Sequence, residues 1–186
     1  GEEFETGAVW ECDPFGVEPA RRLSALGTFK HEAVAVDPAS NAVYLTEDEP
    51  DGRFYRFLPT VANVGGRAEL TSGRLQVMRL RADAAVVNAP GSGGRHAVEW
   101  LDVPNPNPLL GGLILATPTR RQVPESFAFN GGEGIWHQAG VIYFSTKGDR
   151  RVWALDIGAQ SVEVIYDDFA FTTPPLTSVD NIVMTP

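Results

Sequence analysis

One pattern occurs twice in this chain, and it constrains the fold more than any other feature. Residues 32–57 run as an acid, a short alternating strand, a turn, a strand with an aromatic, an acidic loop and a further aromatic strand. Residues 133–155 repeat that order. Glu32 aligns with Glu133, Val43-Tyr44-Leu45-Thr46 with Ile142-Tyr143-Phe144-Ser145-Thr146, and Phe54-Tyr55-Arg56-Phe57 with Val152-Trp153-Ala154-Leu155. Residues 7–14 read like the third strand of another copy, and residues 179–183 like the first strand of one more. Glu32 and Glu133 stand 101 positions apart and Glu133 and Asp180 stand 47 apart. A further unit is therefore expected between the two clear copies, on strands at 75–80 and 97–103.

A period of about 40–50 residues made of short antiparallel strands is the mark of β-propeller blades. One such meander cannot bury its faces alone, so copies stack and close a common core rich here in Val, Tyr, Trp and Phe. The expected fold is all-β, a propeller of four-stranded antiparallel blades with about four blades or part-blades in residues 1–186. Those residues read as one propeller domain, or an arc of one cut at both ends. The competing architecture is a sandwich of short strands. Helical signal is confined to a turn or two at 18–26. Loops are expected at 59–74 and 88–95 and a rigid turn at 104–108. Gly91-Ser92-Gly93-Gly94 lacks the lysine and the strand-to-helix setting of a phosphate loop.

Charge narrows the partners. The formal net charge is −9 and the pI is about 4.8, which disfavours a nucleic acid, because phosphate backbones are bound by Lys and Arg. Cations are the better guests. The single cysteine, Cys12, excludes an internal disulfide and any multi-cysteine metal site. The apolar run at 109–116 falls far short of the roughly 18 residues that span a bilayer. No signal peptide opens the chain at Gly1, so the protein is expected either to be cytosolic or to be numbered after processing or truncation.

The first strand of each propeller blade lines the central channel. If Glu32, Glu133 and Asp180 occupy equivalent positions, their carboxylates meet at one channel mouth, where mutual repulsion calls for a cation. Hard oxygen donors suit Ca²⁺, and trivalent iron is compatible with them. For any one acid alone, a solvated strand-edge residue is the plainer reading. The acids of the 46–52 loop fit either a second layer around such a site or a solvated turn. Glu2 and Glu3 lie at a similar distance before their own strand. Lys147, Arg150 and Arg151 stand beside the mouth as anion-binding candidates or as surface charge on exposed loops. His31 alternates away from Glu32, and His96 and His137 show no metal-ligand spacing. No Ser-His-Asp or His-Glu-x-x-His arrangement is present.

The runs FKHEAVAVDP, VYLTEDEPDGRFYRF, EWLDVPNPNP, GGEGIW, IYFSTKGDRRVWALD and VDNIVMTP, in that order, resemble the PhoX-type alkaline phosphatases. The resemblance implies a bacterial β-propeller that hydrolyses phosphomonoesters with Ca²⁺ and Fe³⁺ at its channel mouth, periplasmic or secreted. It implies metal ligation by Glu32, Glu133 and Asp180, which would act as the catalytic set, with Glu2 and Glu3 as further ligands and Lys147 and Arg151 toward the substrate. On this resemblance Gly1 stands where the family has a cysteine, Cys12 is not in that position, and the family's upstream segment and the strands after Asp180 are expected to lie outside residues 1–186. Missing blades would come from the rest of a parent protein or from a second chain. Two other readings fit the acids: a calcium-dependent lactonase propeller, to which Asn181 beside Asp180 would belong, and a non-catalytic binding platform.

Overall fold

The computed structural model describes residues 7–61, 68–91, 93–108 and 116–185. Two antiparallel meanders carry the repeat. The first comprises β3 (His31–Val36), β4 (Val43–Glu47), β5 (Phe54–Pro59) and β6 (Gly73–Leu80); the second comprises β8 (Gly132–Gln138), β9 (Val141–Thr146), β10 (Arg151–Asp156) and β11 (Ser161–Asp167). Between them β7 (Arg95–Asp102) pairs through Val98–Asp102 with β6 and through Arg95–Ala97 with β11. The result is one nine-stranded sheet in the order β3-β4-β5-β6-β7-β11-β10-β9-β8. Its two ends approach each other, β8 lying beside β3, so the sheet is nearly closed.

The all-β class is as expected, but the partition differs. Strands 75–80 and 97–103 do not make a separate middle unit: β6 completes the first meander and β7 welds it to the second. Residues 7–14 contribute only β1 (Trp10–Glu11), paired with β2 (Arg21–Arg22) in a small sheet of its own. That pairing takes up the stretch where helical turns were expected, leaving a 3₁₀ turn at Ser24–Leu26. Residues 179–183 form no strand, although they lie against β8.

Alternation along the strands explains the packing. Val43, Leu45, Tyr55, Phe57, Leu75 and Val77 point to one face and join Leu23, Leu26 and Phe29. Tyr44, Phe54, Met78 and Leu80 point to the other, where they meet Ile135, Ile142, Phe144, Trp153 and Leu155 of the second meander. β4 is thus packed on both faces and buried at every residue, whereas Val34 and Val36 of β3 stay exposed.

A charged cluster at the bulges of the repeat

Each meander opens with the same irregularity. His31 faces Glu47 and Val34 faces Leu45, so Glu32 and Ala33 together oppose Thr46 alone. In the second meander Gly132 faces Thr146 and Ile135 faces Phe144, so Glu133 and Gly134 together oppose Ser145. Two residues against one is a β-bulge, a device that re-aims a side chain. Glu32 and Glu133 hold the same place in the two bulges, as the repeat predicts.

The residue opposite each bulge carries a hydroxyl that stitches the chain to the next segment. Thr46 accepts from the Ala33 N–H at 3.1 Å and donates to the Glu133 carbonyl at 2.6 Å. Ser145, its counterpart, donates to the Asp180 carbonyl, which also accepts from the Gly134 N–H at 3.0 Å. Asp180 therefore stands to the second meander as Glu133 stands to the first. Without forming a strand, the segment around Asp180 keeps the register that the repeat assigned to it. Close approach requires Gly134 here, since a Cβ would lie 2.7 Å from the Asn181 Cα and 2.8 Å from the Ile182 nitrogen.

Three of the candidate acids differ in setting. Glu133 is 4% exposed. Glu32 is half-buried, at the edge of a cavity of about 300 Å³ also lined by Val9, Trp10, His31 and Leu45. The Asp180 residue is exposed. Burial pushes the Glu133 carboxyl up, Lys147 pulls it back, and the negative charges of Asp48 and Asp180 add to the rise, leaving it above the ordinary carboxylate range. Glu2 and Glu3 lie outside the described residues.

Lys147 is the centre of the cluster. Its Nζ lies 2.5 Å from Glu133 Oε1 and 2.6 Å from Asp48 Oδ1, joining the loops of the two meanders. Asp48 has a second cation, Lys30, whose Nζ is 2.5 Å from Oδ2. Burial would raise the Asp48 carboxyl, but hydrogen bonds and charge from Lys147 and Lys30 outweigh it and hold it below its ordinary value. Burial would lower the Lys147 ammonium, but its two carboxylates hold it well above the ordinary range.

Arg151 is not the exposed residue the sequence suggested. Its side chain is 2% exposed, and its guanidinium is spent on Asp167 and on the carbonyls of Val87, Asn88 and Ala89. It anchors a loop and presents no donor to solvent. Arg150 is half-exposed and pairs with Asp168 at 2.9 Å. Glu47 and Asp51 of the 46–52 loop are structural as well. Glu47, 0% exposed, accepts from the Tyr55 hydroxyl at 2.8 Å and the Arg53 N–H at 3.0 Å, with Arg120 Nη1 3.7 Å away. Asp51 is gripped by Arg120 and Arg121 at 2.9 and 3.2 Å.

The sequence reading missed Lys30, Arg120 and the two hydroxyls. Thr46 and Ser145 were findable, because the repeat aligns them one residue before Glu47 and Thr146. Lys30 and Arg120 carry no spacing signal.

The donors are hard carboxylate oxygens in equivalent positions, and the place a cation would take against Glu133 is held by a stand-in, the Lys147 ammonium. Among the described residues no three His, Cys, Asp or Glu side chains gather closely enough to ligate one ion, so Glu32, Glu133 and Asp180 share a register but do not close a cation site on their own.

Fold and cluster together define an all-β repeat protein with a charged site built on its bulges. The family model described as Alkaline phosphatase PhoX matches residues 2–164. The chain belongs to that family, whose activity is of the alkaline phosphatase type. No curated protein and no solved structure matches the chain. No helix among the described residues is long and apolar enough to cross a membrane.

Proposed function

We propose that the chain is the site-bearing part of a metal-dependent phosphomonoester hydrolase, in which water attacks phosphorus in line with the leaving alcohol. The observation that carries this reading is the shared register of Glu32, Glu133 and Asp180, together with family membership. On this reading the two meanders are successive blades of a propeller whose other blades come from the same parent or a second chain, and the protein works in the periplasm or outside the cell. Glu32, Glu133 and Asp180, with Glu2 and Glu3, would hold the Ca²⁺ and Fe³⁺ that the family resemblance implies. Such ions supply neutralisation of phosphate charge and a bound water acidic enough to attack. Lys147, half-exposed at the rim, offers the positive charge that draws a dianionic substrate. No side-chain nucleophile is required of the chain, and Glu133 serves by position and charge.

Turnover of p-nitrophenyl phosphate by the purified chain, before and after chelation, tests it. The expected result is hydrolysis that chelation abolishes and calcium restores, with Glu133→Gln lowering kcat/KM at least a hundredfold while the far-ultraviolet circular dichroism is unchanged. Hydrolysis indifferent to both chelation and Glu133→Gln would sink the reading.

A further inference from the structure

We infer that the chain associates head to tail with a second copy of itself, the apolar tip of the β1–β2 hairpin of one copy entering an apolar groove on the second meander of the next. The inference goes beyond the catalytic reading and does not rest on it.

Two apolar patches are left in water. Phe15, 87% exposed, stands at the hairpin tip with Val17 and Trp10. Ile165, 51% exposed, and Leu176 line a groove of about 450 Å³, together with Ser145, Val152, Tyr166 and Ile182, and exposed Phe171 stacks on Tyr166 at its border. Exposed apolar patches of this kind mark interaction surfaces.

The patches lie on opposite sides of the stacked meanders. Val9, at the root of the hairpin, packs with Leu23, Leu26 and Phe29 against Val43 and Leu45, on the face of the first meander that points away from the second. Its carbonyl accepts from the Leu23 N–H at 2.9 Å, so hairpin and cover are one piece. Ser145 and Val152 alternate with Phe144 and Trp153 of the shared core, which puts the groove on the far face of the second meander.

The tip is held in shape. The Asp13 carboxylate accepts from the N–H groups of Phe15, Val17 and Glu18 at 3.0, 2.8 and 3.1 Å, and Glu11 pairs with Arg21 at the base at 2.5 Å. A tip fixed in this way loses little conformational entropy when it docks.

The repeat identifies the occupant of the groove. Thr46 and Phe54 of the first meander correspond to Ser145 and Val152 of the second. Thr46 donates to the Glu133 carbonyl and Phe54 lies 4.2 Å from Phe144, so these are the positions at which the first meander receives the second. In the second meander the same positions face the groove. Its lining is therefore of the kind on which this chain stacks one repeat upon another, and the side that comes next in such a stack is the side bearing the hairpin. A second copy set in the same direction brings that side to the groove. Because the two patches differ, each contact leaves a tip open at one end and a groove at the other, and association propagates as a ring or an open chain.

Sedimentation velocity from micromolar to millimolar chain reads the association, and two variants read its direction. Phe15→Asp spoils the tip and Ile165→Asp the groove, and neither residue belongs to the charged cluster. Each variant alone should stay monomeric where the wild-type chain associates. An equimolar mixture of the two should form a dimer and nothing larger, since one intact tip and one intact groove can meet only once. A wild-type chain that is monomeric throughout overturns the inference and leaves the groove to a different partner. Association of either variant like the wild type, or a mixture that stays monomeric, overturns it as well. Should Ile165→Asp fail to fold, Leu176→Asp takes its place, and the wild-type chain supplies a second measurement. Cys12, exposed on the hairpin, should react with N-ethylmaleimide severalfold more slowly in the associated chain than in the dilute one, and an unchanged rate constant overturns the inference. The catalytic reading stands or falls on chelator-sensitive turnover, so its failure and the failure of this inference are distinguishable.

Discussion

Glu47 and His31 face each other across the β3–β4 pair, and burial acts on them in opposite senses. Burial pushes the Glu47 carboxyl from 4.5 up to about 7, against the opposing pull of Tyr55, Arg120 and Arg53. Burial pushes the His31 imidazole from 6.5 down to about 4, its Nε2 lying 3.2 Å from the Gly27 carbonyl. Between pH 4.5 and 7 the folded chain keeps a proton on Glu47 that the unfolded chain has released, so stability falls as pH rises through that window. Between pH 4 and 6.5 the unfolded chain holds a proton on His31 that the folded chain lacks, so stability rises with pH there. Each effect is on the order of 3 kcal/mol, and over the shared range they oppose. Urea midpoints from pH 4 to 8 should separate them: Glu47→Gln leaves a profile that climbs to about pH 6.5, and His31→Gln one that declines toward pH 7. Parallel profiles for the two variants would refute the assignment.

At the scale of the strand, function and fold meet in the bulge. Bulging turns Glu32 and Glu133 out of simple alternation, and the hydroxyl opposite each bulge ties it to the following segment. Gly134 is the tightest point of that seam, so Gly134→Ala should push residues 180–182 off β8 and remove the bond from its N–H to the Asp180 carbonyl. Overpacking of this kind costs about 1–3 kcal/mol. Limited proteolysis should then cut residues 171–185 faster in the variant, and an unchanged rate would show that the segment is not held through Gly134. This seam also marks where the sequence was legible. The equivalence of Glu32, Glu133 and Asp180 was readable because it is written as a repeat, at a fixed offset from strands with recognisable alternation. The pairing of Lys147 with Glu133 and Asp48 was not, because it runs between the copies, where periodicity carries no information. Arg151 was misread for a related reason: loop-flanking arginines look exposed unless their partners, here Asp167 and the carbonyls of residues 87–89, are known to fold back over them. The middle unit failed because the strand at 75–80 has the pattern of any blade strand, and only its pairing with β5 assigns it to the first meander.

For the whole molecule, the question is whether two copies of a motif behave as two units. Repeat proteins unfold piecewise when each copy owns its core. These copies share one: Phe54 of β5 lies 4.2 Å from Phe144 of β9, Phe144 stacks on Trp153 of β10, and Phe129 closes edge-on against Trp153 at 5.3 Å. β7 hydrogen-bonds to both meanders, and Thr46 bonds across to Glu133. A perturbation in the first meander must therefore reach the second. Phe54, 1% exposed, is the residue to truncate, and Phe54→Ala should cost about 3–5 kcal/mol. Hydrogen exchange followed by mass spectrometry should show peptides from β9 and β10 losing protection as much as those from β4 and β5, because global opening becomes the shared route to exchange. Full protection retained in β9 and β10 would mean that the meanders open separately and that the charged cluster between them joins two bodies instead of sitting within one.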